Sequence, residues 1–314
     1  MTRIESLQPE KEAGNNILVS VIMPTYNYGD HISKSIDSAL NQTHTNCELI
    51  IIDNYSDDNT EEVVSSYQDD RIKYLKIHNN GIVAASRNYG IRESKGSLIA
   101  FLDSDDCWYL NKLEEVVRYF DQNKDVDLIC HDENWVFAGS NEESKRVSYG
   151  PWNSHEDLLF KGNRISISAV AVRKEKLLIS ELFSERDDFK PIDDYELWLQ
   201  LSRFCKIKFL HKVLGEYTVH TTSLSFTITI ESKLQSTFNV VKHHYDKLGK
   251  KGSYYRYLLK KRESDLHRET SSDLFQRGEI KLSKKYALSS LKIFLFNIRA
   301  WFLLLKCIIK MYKS

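Results

Sequence analysis

Three carboxylates fall within four positions at Asp103-Ser104-Asp105-Asp106, directly after the apolar run Leu98-Ile99-Ala100-Phe101-Leu102. Acids packed so closely repel one another unless a cation joins them, and oxygen-only donors suit a hard divalent ion such as Mg or Mn. A metal there would neutralise charge on a leaving diphosphate. A second acidic pair, Asp193-Asp194, opens a stretch with Leu197, Trp198 and Leu201 on one face. An Asp in the first turn of a helix ionises readily, because the helix dipole favours negative charge there. A carboxylate so placed can take the proton of an attacking hydroxyl. Plainer readings stand beside these. Asp and Ser are good turn residues, Asp193 or Asp194 can be an ordinary N-cap, and Trp198 can simply fill a core.

The elements that must carry these residues alternate in type. Ile17–Met23, Glu48–Asp53, Ile72–Ile77 and Ser97–Leu102 read as buried strands, and the segments near His31–Leu40, Glu61–Tyr67 and Val83–Glu93 as helices between them. That alternation is the mark of a doubly wound parallel sheet, whose strands end where ligands bind. No G-x-G-x-x-G follows the first strand, which disfavours a dinucleotide cofactor. Beyond Asp106 the pattern predicts a helix over Leu113–Phe120, a strand at Val126–Cys130 and long loops from Asn134 to Gly162. A strand at Ile165–Val172, a short helix at Lys174–Leu178 and a helix over Asp194–Phe204 follow. Lys206–Leu210 and Gly215–Val219 read as two short strands, and the chain is helical from about Ile230.

Composition sets bounds. The 314 residues hold 44 basic and 44 acidic side chains, so no global charge argues for nucleic acid. The balance is uneven: no acid follows Glu279, while Lys281, Lys284, Lys285, Lys292, Arg299, Lys306, Lys310 and Lys313 do. Five scattered cysteines and a polar segment 1–16 without an apolar run suit a reducing, cytoplasmic setting.

Five blocks occur in order: Val19-Ser20-Val21-Ile22-Met23-Pro24-Thr25-Tyr26-Asn27; Ile52-Asp53-Asn54-Tyr55-Ser56-Asp57-Asp58-Asn59-Thr60; Asn80-Gly81 with Ser86-Arg87-Asn88; Phe101-Leu102-Asp103-Ser104-Asp105-Asp106; and Asp193-Asp194-Tyr195-Glu196-Leu197-Trp198. Together they resemble the bacterial family 2 inverting glycosyltransferases of the GT-A fold, over roughly residues 17 to 225. The resemblance implies a Rossmann-like, mostly parallel α/β sheet, with 226–314 as a helical basic extension. It implies that Pro24, Thr25, Tyr26 and Asn27 line the nucleotide base and that Asp53 and Asn54 read its edge. Family members usually carry a second Asp where this chain has Asn54; an Asn carbonyl can still accept from the N3–H of uracil, and its amide can donate.

By the same resemblance Arg87 lies near the diphosphate or shapes the acidic loop. Asp103 and Ser104 contact the nucleotide sugar, and Asp103 with Asp105 forms the D-x-D metal site. Asp106 is a ligand or a helix cap. Asp194 is the general base, with Asp193 (where the family usually has Glu) and Trp198 on the acceptor side. Tyr217 to Ser225 is similar to the family's closing Y-x-x-H-x-x-S-x-S segment, which makes His220 a further metal ligand. His243-His244 reads as solvated helix surface.

Lys285, Lys292, Arg299, Lys306 and Lys313 recur every seven residues among apolar side chains, with no run of the roughly 18 needed to span a bilayer. Two arrangements fit: a helix lying on an anionic leaflet, or a helical hairpin docked on the protein. The expected activity is transfer of a sugar from a UDP-sugar to a glycan or lipid-linked acceptor in surface polysaccharide assembly, with Mn or Mg, at the inner face of the cell membrane. The competing class is a catalytically inactive nucleotide-sugar or glycan-binding scaffold recruited by the basic tail, in which at least one of Asp103, Asp105 and Asp194 should be missing. A nucleotidyltransferase is disfavoured, since no Gly- and Lys-rich loop follows the first strand.

Overall fold

The computed structural model describes residues 16–139, 143–152, 154–219, 229–250 and 252–313. Four parallel strands, β1 (Val19–Thr25), β2 (Cys47–Asp53), β3 (Ile72–Lys76) and β4 (Leu98–Phe101), lie in the order β3-β2-β1-β4. Between them run α1 (Ile32–Leu40), α2 (Thr60–Ser65) and α3 (Val83–Glu93). Strand side chains alternate between two cores, as a period of two requires. Ile22, Ile50, Ile52 and Phe101 pack on the α3 side; Val21, Met23, Leu49 and Ile51 pack on the α1 side. Each such side chain stabilises the fold by about 1.5–3 kcal/mol. Gly90 lets α3 approach closely: a Cβ there would lie 2.7 Å from Ile52 Cδ1 and 2.8 Å from Ile22 Cγ2.

Pro24 does not end β1; it pairs with Ile52, one residue inside the strand. The β4 pairing stops at Ile22 and Phe101, so the missing N–H of Pro24 faces a side with no ladder to lose.

The second half mixes antiparallel and parallel pairings. β5 (Cys107–Trp108) and α4 (Lys112–Gln122) lead to β6 (Leu128–Phe137), β7 (Lys145–Val147), α5 (His155–Lys161), β8 (Val170–Arg173), α6 (Lys174–Ile179), α7 (Asp193–Leu201) and β9 (Ile207–Val219). The described residues form one nine-stranded sheet, continuing β4-β8-β6-β9-β5 with β7 beside β6. The long loops expected from Asn134 to Gly162 are thus in part strand and helix. Trp135, Val136 and Phe137 carry β6 onward, and Ser154 caps α5 by accepting from Asp157 N at 3.1 Å. The two short strands expected after Lys206 are one strand, β9, paired with β6 across a bulge near Asp132.

Four helices follow: α8 (Ile230–Lys247), α9 (Ser253–Gln276), α10 (Ile280–Ile293) and α11 (Ile298–Lys313). α9 and α10 meet along buried serines, Ser264 with Ser290 and Ser271 with Ser283, each hydroxyl donating to a carbonyl on the facing helix. The seven-residue basic repeat does not run along one helix: the turn Phe294–Asn297 divides it between α10 and α11. His244 is not solvated either. It is buried on α8, and its Nε2 lies 3.0 Å from Glu196 Oε1 on α7. This contact joins the helical region to the helix that carries Asp194.

Candidate active site

The turn after β4 is clamped from several directions. Ser35 Oγ donates to the carbonyls of Ser104 (2.8 Å) and Asp106 (2.7 Å), and Asp103 N–H donates to Ser168 Oγ at 3.1 Å. Asp106 is fully buried and accepts from Ser168 Oγ at 2.5 Å and from Thr218 N–H at 2.9 Å. It is therefore no helix cap but a tie that holds β9 to the acidic turn. Burial, then the charge of Asp105, raises its pKa well above the ordinary carboxylate range.

One carboxylate oxygen from each of Asp103, Asp105 and Asp106 can be chosen so that all lie within 4.8 Å. Asp103 and Asp105 are the less buried donors, and each Asp106 oxygen keeps a lone pair beside its one hydrogen bond. Burial, then the Asp103 charge, pushes Asp105 up to about 7. Closely set oxygen donors that repel one another fit a hard divalent cation, whose arrival would relieve that repulsion. His220 lies outside the described residues.

Arg87, from α3, is the hinge of the site. Its Nη2 donates to Asp103 Oδ1 at 2.8 Å and its Nη1 to Asp193 Oδ2 at 2.9 Å, while the guanidinium lies 5.5 Å from the Phe183 ring centre. Burial works against its charge, but Asp103 and Asp193 outweigh it and hold the guanidinium above its ordinary range. Burial in turn outweighs Arg87 at Asp193, whose pKa is raised. Arg87 thus joins the acidic turn to the head of α7.

Asp194 is the next residue. Its Oδ1 accepts from Tyr195 N–H at 2.6 Å and its Oδ2 from Asn163 Nδ2 at 3.3 Å. Burial, then the Asp193 charge, pushes it up to about 7. Asp194, Asp193, Arg87, Asp103 and Asp105 line one cleft of about 370 Å³. A carboxylate with a pKa near neutrality can take up a proton at neutral pH.

Trp198 does not share that space. It is fully buried in the core, 6.5 Å from the Phe183 ring, so its expected place on the acceptor side is corrected. One turn past Asp194, the inward face of α7 points into the core rather than the cleft. The aromatic wall is Trp135 instead, with Tyr149 and Tyr217. Trp135 Nε1 donates to Tyr149 Oη at 3.2 Å, Tyr149 Oη donates to the buried Glu133 at 2.7 Å, and the Tyr217 ring lies 5.3 Å from that of Trp135. Trp135, Tyr149, Asn163 and Arg164 went unnoticed in the sequence because their segment read as loop. The β-branched and aromatic run Trp135-Val136-Phe137 was the signal that the strand continued.

The nucleotide-side residues stand at the ends of β1 and β2. Pro24 and Thr25 are buried, while Tyr26 is 54% exposed. Asn27 spends its backbone and side chain on the neighbouring turn, donating from N to Ser56 Oγ (2.8 Å) and accepting at Oδ1 from Asp57 N (2.9 Å). Asp53 does not reach outward: its fully buried carboxylate accepts from Ser56 and, at 2.6 Å, from Tyr74 Oη. It holds the turn that presents Asn54. The Asn54 carbonyl accepts from Asn79 N–H at 2.9 Å, which leaves that oxygen one further lone pair for a base N–H and leaves the amide as a donor. Asn27, Tyr55 and Asn80 all adopt positive φ, near 50°, at these strand ends. Non-glycine residues held there cluster at ligand sites, because surrounding contacts must enforce the strain.

The profile of Glycosyl transferase family 2 matches residues 20–178. An uncharacterised glycosyltransferase of Rickettsia typhi is 31% identical over 215 residues; the match covers 65% of this chain and 64% of that relative, so the chain spans somewhat less than two thirds of it. The UDP-Glc:alpha-D-GlcNAc-diphosphoundecaprenol beta-1,3-glucosyltransferase WfgD of Escherichia coli is 30% identical over 240 residues, covering 75% of this chain and 87% of the relative. In fold, the chain is similar to S. aureus TarS 1-349 solved in complex with UDP (TM-score 0.61, 16% identity, 86% of this chain and 80% of that one). The sheet with its acidic turn is a GT-A fold, and the chain belongs to glycosyl transferase family 2.

Proposed function

We propose that this chain transfers a hexosyl group, with inversion, from a UDP-sugar to a hydroxyl of a glycan carried on a lipid diphosphate. The observation that carries the reading is that Asp194 shares one cleft with Asp103 and Asp105, with Arg87 bonded to both sides. In a single displacement the acceptor oxygen bonds to the anomeric carbon as the bond from that carbon to the diphosphate oxygen breaks. Asp194 takes the acceptor proton, and the nucleoside diphosphate departs from the opposite face. A base pushed up to about 7 is strong enough to help and still substantially ionised at neutral pH. Asp103 and Asp105 would hold Mn or Mg, which when bound neutralises charge on the departing diphosphate. Ser104 sits between them, its carbonyl fixed by Ser35.

A uridine base is supported by Asn54, whose oxygen can accept from a base N–H while its amide donates to a base carbonyl, and by the donor in the name of WfgD. That name also supports a sugar on a lipid diphosphate as acceptor, and hence work in surface polysaccharide assembly such as lipopolysaccharide or capsule. The inactive-scaffold reading has less support, since Asp103, Asp105 and Asp194 are all present and converge. Incubation with UDP-glucose, Mn and a synthetic GlcNAc-diphosphate-alkyl acceptor should give a product whose proton NMR shows a β linkage. An α-linked product would refute the single displacement.

No described helix is long and apolar enough to cross a membrane. Attachment to the inner face of the cell membrane is supported by α11, where Trp301, Phe302, Leu305 and Ile309 are exposed beside Arg299, Lys306 and Lys310. Ala300, Leu304 and Cys307 on its other face pack toward α10, so surface binding and docking on the protein coexist. Removal of residues 298–314 should abolish co-sedimentation with phosphatidylglycerol vesicles; unchanged binding would refute this role.

A further inference from the structure

Beside Asp194 and continuous with the cleft lies a larger cavity of about 680 Å³, sharing Trp135, Asn163, Arg164, Pro191 and Asp194 with it. Its far wall is made by α8 and α9. We infer that this cavity is an anion subsite that takes the diphosphate of the acceptor, an assignment that rests on the transferase reading above.

Five cations line the cavity: Lys161, Arg164, Lys233, Arg262 and Arg277. The carboxylates on it are Asp194 at the mouth, Glu269 and Asp273, which leaves a surplus of two positive charges. Lys161 is partnered by Asp157 at 2.8 Å, and Glu269 is shared between Arg268 (3.0 Å) and Arg262 (3.3 Å).

Arg262 is the second, independent observation. It is only 4% exposed, yet its Nε has no partner among the described residues, and its one bonded nitrogen, Nη1, reaches both Glu269 oxygens only at 3.3 Å. A buried guanidinium with donors unmatched is costly unless an anion completes it, and phosphate oxygens match its planar fork. The backbone makes room for it. Gly162 has φ +96°, and a Cβ there would stand 2.6 Å from Arg262 Nη2. Charge on one side of Asp194 thus suits a cation that receives the donor's diphosphate. Charge on the other suits a second diphosphate, attached to the sugar whose hydroxyl Asp194 would deprotonate.

The test is calorimetric titration of the full chain in EDTA, where the acidic turn has no cation with which to hold a diphosphate. Decyl diphosphate below its micellar concentration, inorganic pyrophosphate and the neutral decyl maltoside are the three probes. Decyl diphosphate should bind, pyrophosphate should bind more weakly, and decyl maltoside should not compete. Lys233→Ala with Arg277→Ala, two exposed positions on the cavity wall, should weaken decyl diphosphate at least tenfold. Unchanged affinity in that variant, no binding by the wild type, or equal binding of decyl maltoside would each overturn the assignment. Pyrophosphate binding as tight as decyl diphosphate would overturn the acceptor as its source, leaving a site for free phosphate. Transfer to the sugar-diphosphate acceptor is assayed separately: loss of binding in the variant without any transfer by the wild type would sustain the anion site and sink the transferase reading.

Discussion

The two sides of the cleft at Asp194 carry opposite charge and are assembled in opposite ways. The acidic side comes from a single turn, Asp103 to Asp106, fixed by the end of β4 and by Ser35 and Ser168. The basic side draws on positions from Lys161 to Arg277, brought together only when α8 and α9 dock on α5 and α7. A cluster made by one turn repels itself at close range and needs a partner, which Arg87 supplies for Asp103. Cations drawn from several elements can be set apart by the packing of those elements, and repulsion weakens with separation.

Asp194→Asn is the strongest way to break that division of labour. It should lower kcat by about 10²- to 10⁴-fold in a radiolabelled-sugar assay while UDP-sugar affinity in Mn is unchanged. Retention of transfer would place the base elsewhere. Next comes Arg87→Met, which strips the buried cation from two carboxylates. It should cost about 3–5 kcal/mol in urea unfolding, since breaking a buried pair leaves an uncompensated charge. Adding Asp193→Asn should recover part of the loss, and no recovery would separate the two residues energetically. Trp135→Ala should raise the acceptor KM about tenfold, on the order of 1.4 kcal/mol, and leave the donor KM alone. A change in donor KM instead would move Trp135 to the other side.

The smallest effect sharpens the comparison through pH. Asp105, Asp194 and Glu133 are each pushed up to about 7 in the folded chain, above their unfolded values of about 4. Groups so raised stabilise the fold fully below the unfolded pKa and lose that contribution as pH rises through the folded one. The buried Lys112, His131 and His155, whose pKa values are lowered, work the other way, because they bind more protons unfolded over this range. In EDTA the Tm of the unchanged chain should fall further, or rise less, from pH 6.5 to 8.5 than that of Asp105→Asn. Mn should raise it more at pH 8.5 than at 6.5, because cation and protons compete for the same oxygens. A Tm insensitive to both would remove the case for a cation at the turn.

The same contrast explains what could be read from the chain. The parallel half of the sheet was legible because β1, β2 and β4 are short apolar runs with turn residues between them, and a carboxylate cluster within four positions is visible without a fold. Trp198 misled because it shares a helix face with Asp194, but one turn further along that face is covered by the core instead of opening to the cleft. Asp53 and Asn54 were found, but the roles of their oxygens depend on Tyr74 and Asn79, which no spacing reveals. Arg262 was invisible for a stronger reason: nothing near residue 262 suggests a partner at residue 162.

That last contact has a consequence for how this chain can vary. Gly162 and Arg262 work as lock and key across one hundred positions, and even one added methyl at the first collides with the guanidinium of the second. Neither half can be exchanged freely. A lineage that enlarged residue 162 would strain the backbone at φ +96° and push the guanidinium of residue 262 aside, out of the position it now holds on the cavity wall.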